Sequence, residues 1–306
     1  MNTKKAGGLF LTIILCHLAV SVLLLFYVPP VFKNMVGNLV VSEMLIWVPA
    51  VLFLAVSKTN PIKLCRMRKV HVSTLLMTAL FTLLCMPLVT LANALSMLFV
   101  DNTVAQVSPM ILQMPFLPMF LVMAVYGPFA EEFVFRGIVY QSFKKQGNVF
   151  AAVILSALAF ALMHMNFNQA AYALVVGVIL ALLMEACDSI WPAFVFHMLV
   201  NGSSVVTLYL TQHISADLMD AAAQMAGNLP RQELYMAVCV YVVLAVVFTP
   251  IAGCVLVWIA GREGRLAHVK YIWHSRKNGL KGIFPAAFLL ASIISLGYMI
   301  FLVIRS

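Results

Sequence analysis

The stretch E-E-F-V-F-R, Glu131 to Arg136, sets two adjacent carboxylates and a guanidinium inside an apolar run. Two pieces downstream repeat the pattern with other polar groups: F-A-L-M-H, Phe160 to His164, and H-M-L-V-N, His197 to Asn201. Their surroundings decide how they are read. Hydrophobic residues fill 64% of the 306 positions and charged residues 9%, with a mean hydropathy of +1.04. A soluble chain of this length needs far more polar surface. The reading is an all-α polytopic membrane protein, a bundle of eight or nine transmembrane helices with an intramembrane active site. Ionisable groups inside such a bundle are costly and mark function.

Working outward, the spans run from about Leu9 to Val28, Leu39 to Val56, Val72 to Val100, and from Met110 into the Glu131–Glu132 pair. They continue from Val149 to Met163, Ala170 to Met184, a seventh carrying His197 and Asn201 to Leu210, Leu234 to Ile259, and Ile283 to Ile304. The first is too long for a signal-peptide core and is read as retained. Pro87 is expected to kink or break the third. The spans from Val149 and Ala170 are short, which leaves the total at eight or nine. Asp101 to Ser108 reads as a polar connection. Gln212 to Glu233 is the longest one, with a surface helix suggested by the spacing of Leu218, Met219, Ala222 and Met225. One membrane domain over 1–306 is expected, with a catalytic core at about 110–210 and flanking spans in 1–109 and 211–306.

The net charge of +9 sits in short loops between apolar runs, the last of them a basic loop with Arg262, Arg265, Lys270, Arg276, Lys277 and Lys281, a topology signal rather than a nucleic-acid face. With nine spans and the N-terminus inside, 16 of the 19 lysines and arginines fall on the cytoplasmic side, Arg136 counted among them. A bacterial cytoplasmic membrane is the expected location. Six scattered cysteines form no C-x-x-C pair, so neither a disulfide framework nor a cysteine metal site is indicated.

Glu132 and Arg136 are four apart in the favourable order for a helical ion pair, which reads as structural neutralisation. Glu131 lies about 100° around the helix from Glu132, so Arg136 cannot serve both equally. Repulsion between two adjacent carboxylates and their desolvation favour a held proton on one of them, the property of a general acid or base. Glu131 is the expected proton carrier. His164 alone reads as a helix-end histidine bonded to a carbonyl. His197 and Asn201, one turn apart, share a face and alone read as a clasp between helices. Together the four fit an activated-water site. For His164 and His197 to meet, the helices must tilt strongly, the span from Val149 must be offset, or a segment must be partly re-entrant. One version holds a catalytic Zn2+ on Glu131, His164 and His197. In the other, Glu131 and a histidine activate water while His197 and Asn201 stabilise the oxyanion.

These three motifs in this order resemble the CAAX-protease and bacteriocin-processing family, also called the Abi or type II CAAX prenyl endopeptidase family. Its pattern is E-E-x-x-x-R, then F-x-x-x-H, then H-x-x-x-N, matched at Glu131, Glu132, Arg136, Phe160, His164, His197 and Asn201. The resemblance covers roughly residues 110 to 210. It implies a membrane-embedded endopeptidase in which Glu131 activates water, His164 and His197 aid activation or hold a metal, and Asn201 faces the oxyanion. The implied partners are a membrane-associated protein or peptide substrate and the lipid bilayer. Two other classes stay open: a proton- or metal-coupled transporter, and a non-catalytic membrane protein of the bacteriocin-immunity kind. The spans show no inverted repeat, which argues against the transporter.

Overall fold

The structure, a computed structural model, describes residues 2–214, 231–280 and 282–305. Eleven helices carry the architecture: α1 (Thr3–Phe26), α2 (Met35–Val56), α3 (Val72–Met97), α4 (Thr103–Leu112), α5 (Phe116–Lys144), α6 (Val149–Met163), α7 (Phe167–Cys187), α8 (Ile190–Ile214), α9 (Arg231–Arg262), α10 (Leu266–Ser275) and α11 (Ala286–Arg305). Eight of them are long and apolar enough to cross a membrane. Of the expected spans, α6 is the short one, at 15 residues. The surface helix expected around Leu218 lies outside the described residues.

Asparagines start many of these helices. Asn2, Asn34, Asn102, Asn148 and Asn166 each accept a hydrogen bond from a backbone N–H of the first turn of α1, α2, α4, α6 and α7. The side chain answers a donor that has no partner within the helix. Two expectations need correction for the same kind of reason. The polar connection at Asp101 to Ser108 is mostly α4, because Asn102 caps it. The loop carrying Arg265 and Lys270 contains α10, whose Leu266, Val269 and Ile272 recur at helical spacing and pack on the core. At Pro87, α3 continues unbroken.

The centre of the bundle is the second half of α5, buried without interruption from Ala130 to Phe143. A helix apolar all round belongs in a core, and α1, α2, α6, α7 and α8 surround this one. Alongside it, α7 and α6 touch closely where Gly177 meets Ala157; a Cβ on Gly177 would come 2.8 Å from the Ala157 Cα.

Contacts between helix ends sort the loops onto faces. Arg66 and Arg68 reach Asp188, Lys144 and Arg265 reach Glu185, and His71 reaches Glu263. Thr3 bonds the Gly282 carbonyl and Asn148 bonds the Asn278 carbonyl. On the opposite side, Asn168 at the start of α7 bonds Asn93 and Ser96 at the end of α3. The basic loops therefore share one face. Arg136 is the exception: it is wholly buried in the bundle, so it is not a topological charge.

Candidate active site

Glu131, Glu132 and Arg136 lie on the buried run of α5, at 8%, 0% and 0% exposure. Arg136 Nε is 3.2 Å from Glu132 Oε2, Nη2 donates to the Gly177 carbonyl at 3.2 Å, and the guanidinium carbon lies 4.4 Å from the Phe160 ring centroid. The expected ion pair exists, and it has a second task. His197 Nδ1 lies 3.0 Å from Glu132 Oε1. Glu132 is thus set by Arg136 on one oxygen and orients the imidazole with the other. A carboxylate paired with arginine accepts, so Nδ1–H donates and the Nε2 edge is presented to Glu131. Glu131 Oε2 stands 3.5 Å from Nε2.

His164 keeps the helix-end bond read from its position: Nδ1–H donates to the Phe160 carbonyl at 2.9 Å. Its Nε2 is left as the free edge. Phe160 stands edge-on to both imidazoles, with ring centroids 5.1 Å from His164 and 5.6 Å from His197. The two histidines therefore both lie against one phenyl ring. Among the described residues, no hydrogen bond or ion pair joins His164 to Glu131.

Asn201 is held as a clasp. Its Nδ2 donates to the Met123 carbonyl at 3.1 Å. The reason lies in α5, which widens to a π-helical register over Leu121–Tyr126, with Gly127 N–H bonding the Val122 carbonyl. In that register the next donor, to Met123, would come from residue 128, which is proline and has no N–H. Asn201 supplies the missing donor. The second N–H of its amide is uncommitted in the described contacts.

Two residues from flanking helices were not anticipated. Glu43 on α2 packs against Gly127: a Cβ there would lie 3.0 Å from Glu43 Oε1. The Glu43 carboxyl is close enough to Glu131 for their charges to interact. His17 on α1 interacts with His164 and bonds its own helix through Nδ1 and the Ile13 carbonyl at 3.0 Å. An ionisable residue within an apolar span was the available signal for both.

The donor set was weighed against zinc. His197 Nδ1 faces Glu132 and His164 Nδ1 bonds a carbonyl, which leaves an Nε2 edge on each ring, that of His197 beside Glu131. Among the described residues no three histidine, cysteine or acidic side chains form a metal-holding group. The expected set of Glu131, His164 and His197 is not drawn together as a ligand group, and no step below runs through a metal.

Fold and centre define a class: a helical membrane protein with a buried carboxylate–imidazole site contributed by α5, α6 and α8. The family described as type II CAAX prenyl endopeptidase Rce1-like matches residues 113–203, which contain all six expected site residues. The "Putative membrane peptidase YdiL" of Bacillus subtilis (strain 168) is 26% identical over 88 residues, 29% of this chain and 36% of that protein. The chain thus spans about a third of the length of that curated relative. No solved structure matches. Over residues 113–203 the chain is thus similar to the type II CAAX prenyl endopeptidase family, at the positions that carry the three motifs.

Proposed function

We propose that this protein is an intramembrane endopeptidase that hydrolyses peptide bonds of membrane-associated proteins or peptides with a water activated by Glu131. The observation that carries this reading is the Glu132–His197–Glu131 sequence of contacts, 3.0 Å and then 3.5 Å, buried within the bundle. Glu132 fixes the imidazole, whose Nε2 edge stands beside Glu131, so that a water bonded to both would sit to one side of the pair. Glu131 takes the water's proton as its oxygen attacks the carbonyl carbon. The uncommitted Asn201 N–H is the group placed to meet the oxyanion, while the free Nε2 of His164 is an acceptor. Hydrolysis inside a bundle suits a substrate delivered through the bilayer. The shared basic face is taken as cytoplasmic, with the N-terminus inside a bacterial membrane.

The test is mass spectrometry of membrane peptides from cells carrying wild type or Glu131→Ala, followed by cleavage of the identified peptide by purified protein in micelles. Peptides that appear only with wild type, and cleavage lost in the variant, are expected. Equal cleavage by Glu131→Ala would sink the reading. Dialysis against a chelator is expected to leave the rate unchanged; loss restored by added zinc would return Glu131, His164 and His197 to a ligand role.

A further inference from the structure

Glu43 is half-buried, and unlike Glu131 and Glu132 it has no cationic or imidazole partner among the described residues. Its Oε2 is shut off from solvent and has no hydrogen-bond partner. No lysine, arginine or histidine pairs with it among the described residues; Arg136 and His197 are taken by Glu132 and Glu131. A carboxyl oxygen closed off from solvent with neither donor nor cation is costly to keep. Its position is specific. Gly127 is four residues before Glu131, on the same helical face, and the Glu43 carboxyl occupies the space a side chain at 127 would fill. Side chains at that spacing are neighbours, with Cβ atoms about 5–6 Å apart. Glu43 is thus delivered by α2 to a place one turn from the proposed base.

Hydrolysis of a peptide bond needs an acid for the leaving nitrogen as well as a base for water. Arg136 does not release protons. His197 is fixed by Glu132 and turned to Glu131, and the Nδ1 proton of His164 is committed to Phe160. We propose, on the peptidase reading above, that Glu43 is a catalytic residue: it hands its proton to the leaving nitrogen. The water oxygen bonds the carbonyl carbon as its proton passes to Glu131. The C–N bond then breaks as the Glu43 proton moves to nitrogen, releasing a carboxyl group and an amine. The proton on Glu131 returns to Glu43 across one helical turn, and the centre is reset. Paired carboxyls in opposite roles are a general solution to this chemistry.

The experiment compares two substrates in micelles: the peptide identified from the membrane comparison, and its depsipeptide with an ester at the scissile bond. An alkoxide leaves without the help a nitrogen needs. In Glu43→Gln, amide cleavage is expected to fall about 10²–10⁴-fold while ester cleavage stays within about tenfold of wild type. Glu131→Gln is expected to lose both. Should Glu43→Gln fail to fold, Glu43→Asp is read by the same amide-to-ester ratio, which is expected to drop. An unchanged ratio, whether both rates persist or both fall together, overturns the role of Glu43 and leaves the peptidase reading standing. Wild type that cleaves neither substrate overturns that reading and this inference with it.

Discussion

The two charged regions of the bundle treat their acids differently. On the basic face each carboxylate has more than one partner: Glu185 has Tyr140, Lys144 and Arg265, Asp188 has Arg66 and Arg68, and Glu263 has Thr74 and His71. In the interior, Glu43, Glu131 and Glu132 have Arg136 and His197 between them, and Glu43 has neither. The face is saturated with donors and holds helix ends together. The interior carries surplus acid, a poor way to stabilise a fold and a good way to handle protons.

Replacing the surplus acid should therefore remove activity and spare the fold, whereas the face should do the opposite. Glu131→Gln is expected to cut the cleavage rate by about 10²–10⁴-fold with an unchanged melting temperature in micelles. Lys144→Met, which takes a partner from Glu185, should lower the melting temperature and leave the rate per folded molecule intact. A Glu131→Gln protein that melts early but cleaves at the wild-type rate would erase the distinction between the regions.

The next effect lies in stability. Arg136 and Glu132 are fully buried, so Arg136→Ala leaves an uncompensated charge at an expected cost of about 3–5 kcal/mol. Arg66, with half its side chain in solvent, should cost no more than about 1 kcal/mol when replaced by alanine. Thermal unfolding of both variants in one detergent measures the contrast. Equal losses would mean that the interior pair is solvated in a way its burial does not suggest.

The fold was largely legible because a run of apolar residues long enough to span a bilayer leaves little choice but helix. The site was legible where spacing along one helix carries the information. Glu132 with Arg136, and His197 with Asn201 on one face, are of this kind. What spacing cannot convey is which helices touch. That Glu132 orients His197, that His164 and His197 both lie against Phe160, and that α2 brings Glu43 to Gly127 are facts of packing between helices. Glu43 nonetheless left a trace, a lone acid in V-S-E-M within an apolar span. So did Pro128, whose missing N–H explains why Asn201 is spent on Met123. Around Asn102 and Leu266 polarity suggests a loop, whereas the Asn102 cap and the apolar spacing from Leu266 specify helix.

A smaller effect tests the frame that holds the interior in place. Gly177 gives its carbonyl to Arg136 and its bare Cα to the contact with α6. Gly177→Ala would push a methyl to within 2.8 Å of the Ala157 backbone, which cannot yield as a side chain tip could. A destabilisation of about 1–3 kcal/mol is expected, together with a reduced rate, because the shift moves Arg136 and through it Glu132 and His197. Lost stability at full activity would uncouple the helix contact from the centre.

The smallest effect belongs to the basic face and concerns pH. Burial works against the charge of Glu263, just beyond α9, but the Thr74 hydroxyl and the His71 backbone N–H and ring outweigh it and hold the carboxyl below the ordinary glutamate value. A group whose native proton affinity is lowered stabilises the fold above its unfolded-state value. That contribution fades as the pH falls through the native one. Melting temperature should therefore decline on the acid side, and Glu263→Gln should flatten that part of the curve by removing the titrating group. Glu43→Gln makes no contact with this clamp and should leave the acid limb attributable to Glu263 in place. If Glu263→Gln leaves the acid limb as steep as in wild type, the link between α3 and α9 is not set by this carboxylate, and the face is held by its other pairs, at Glu185 and Asp188.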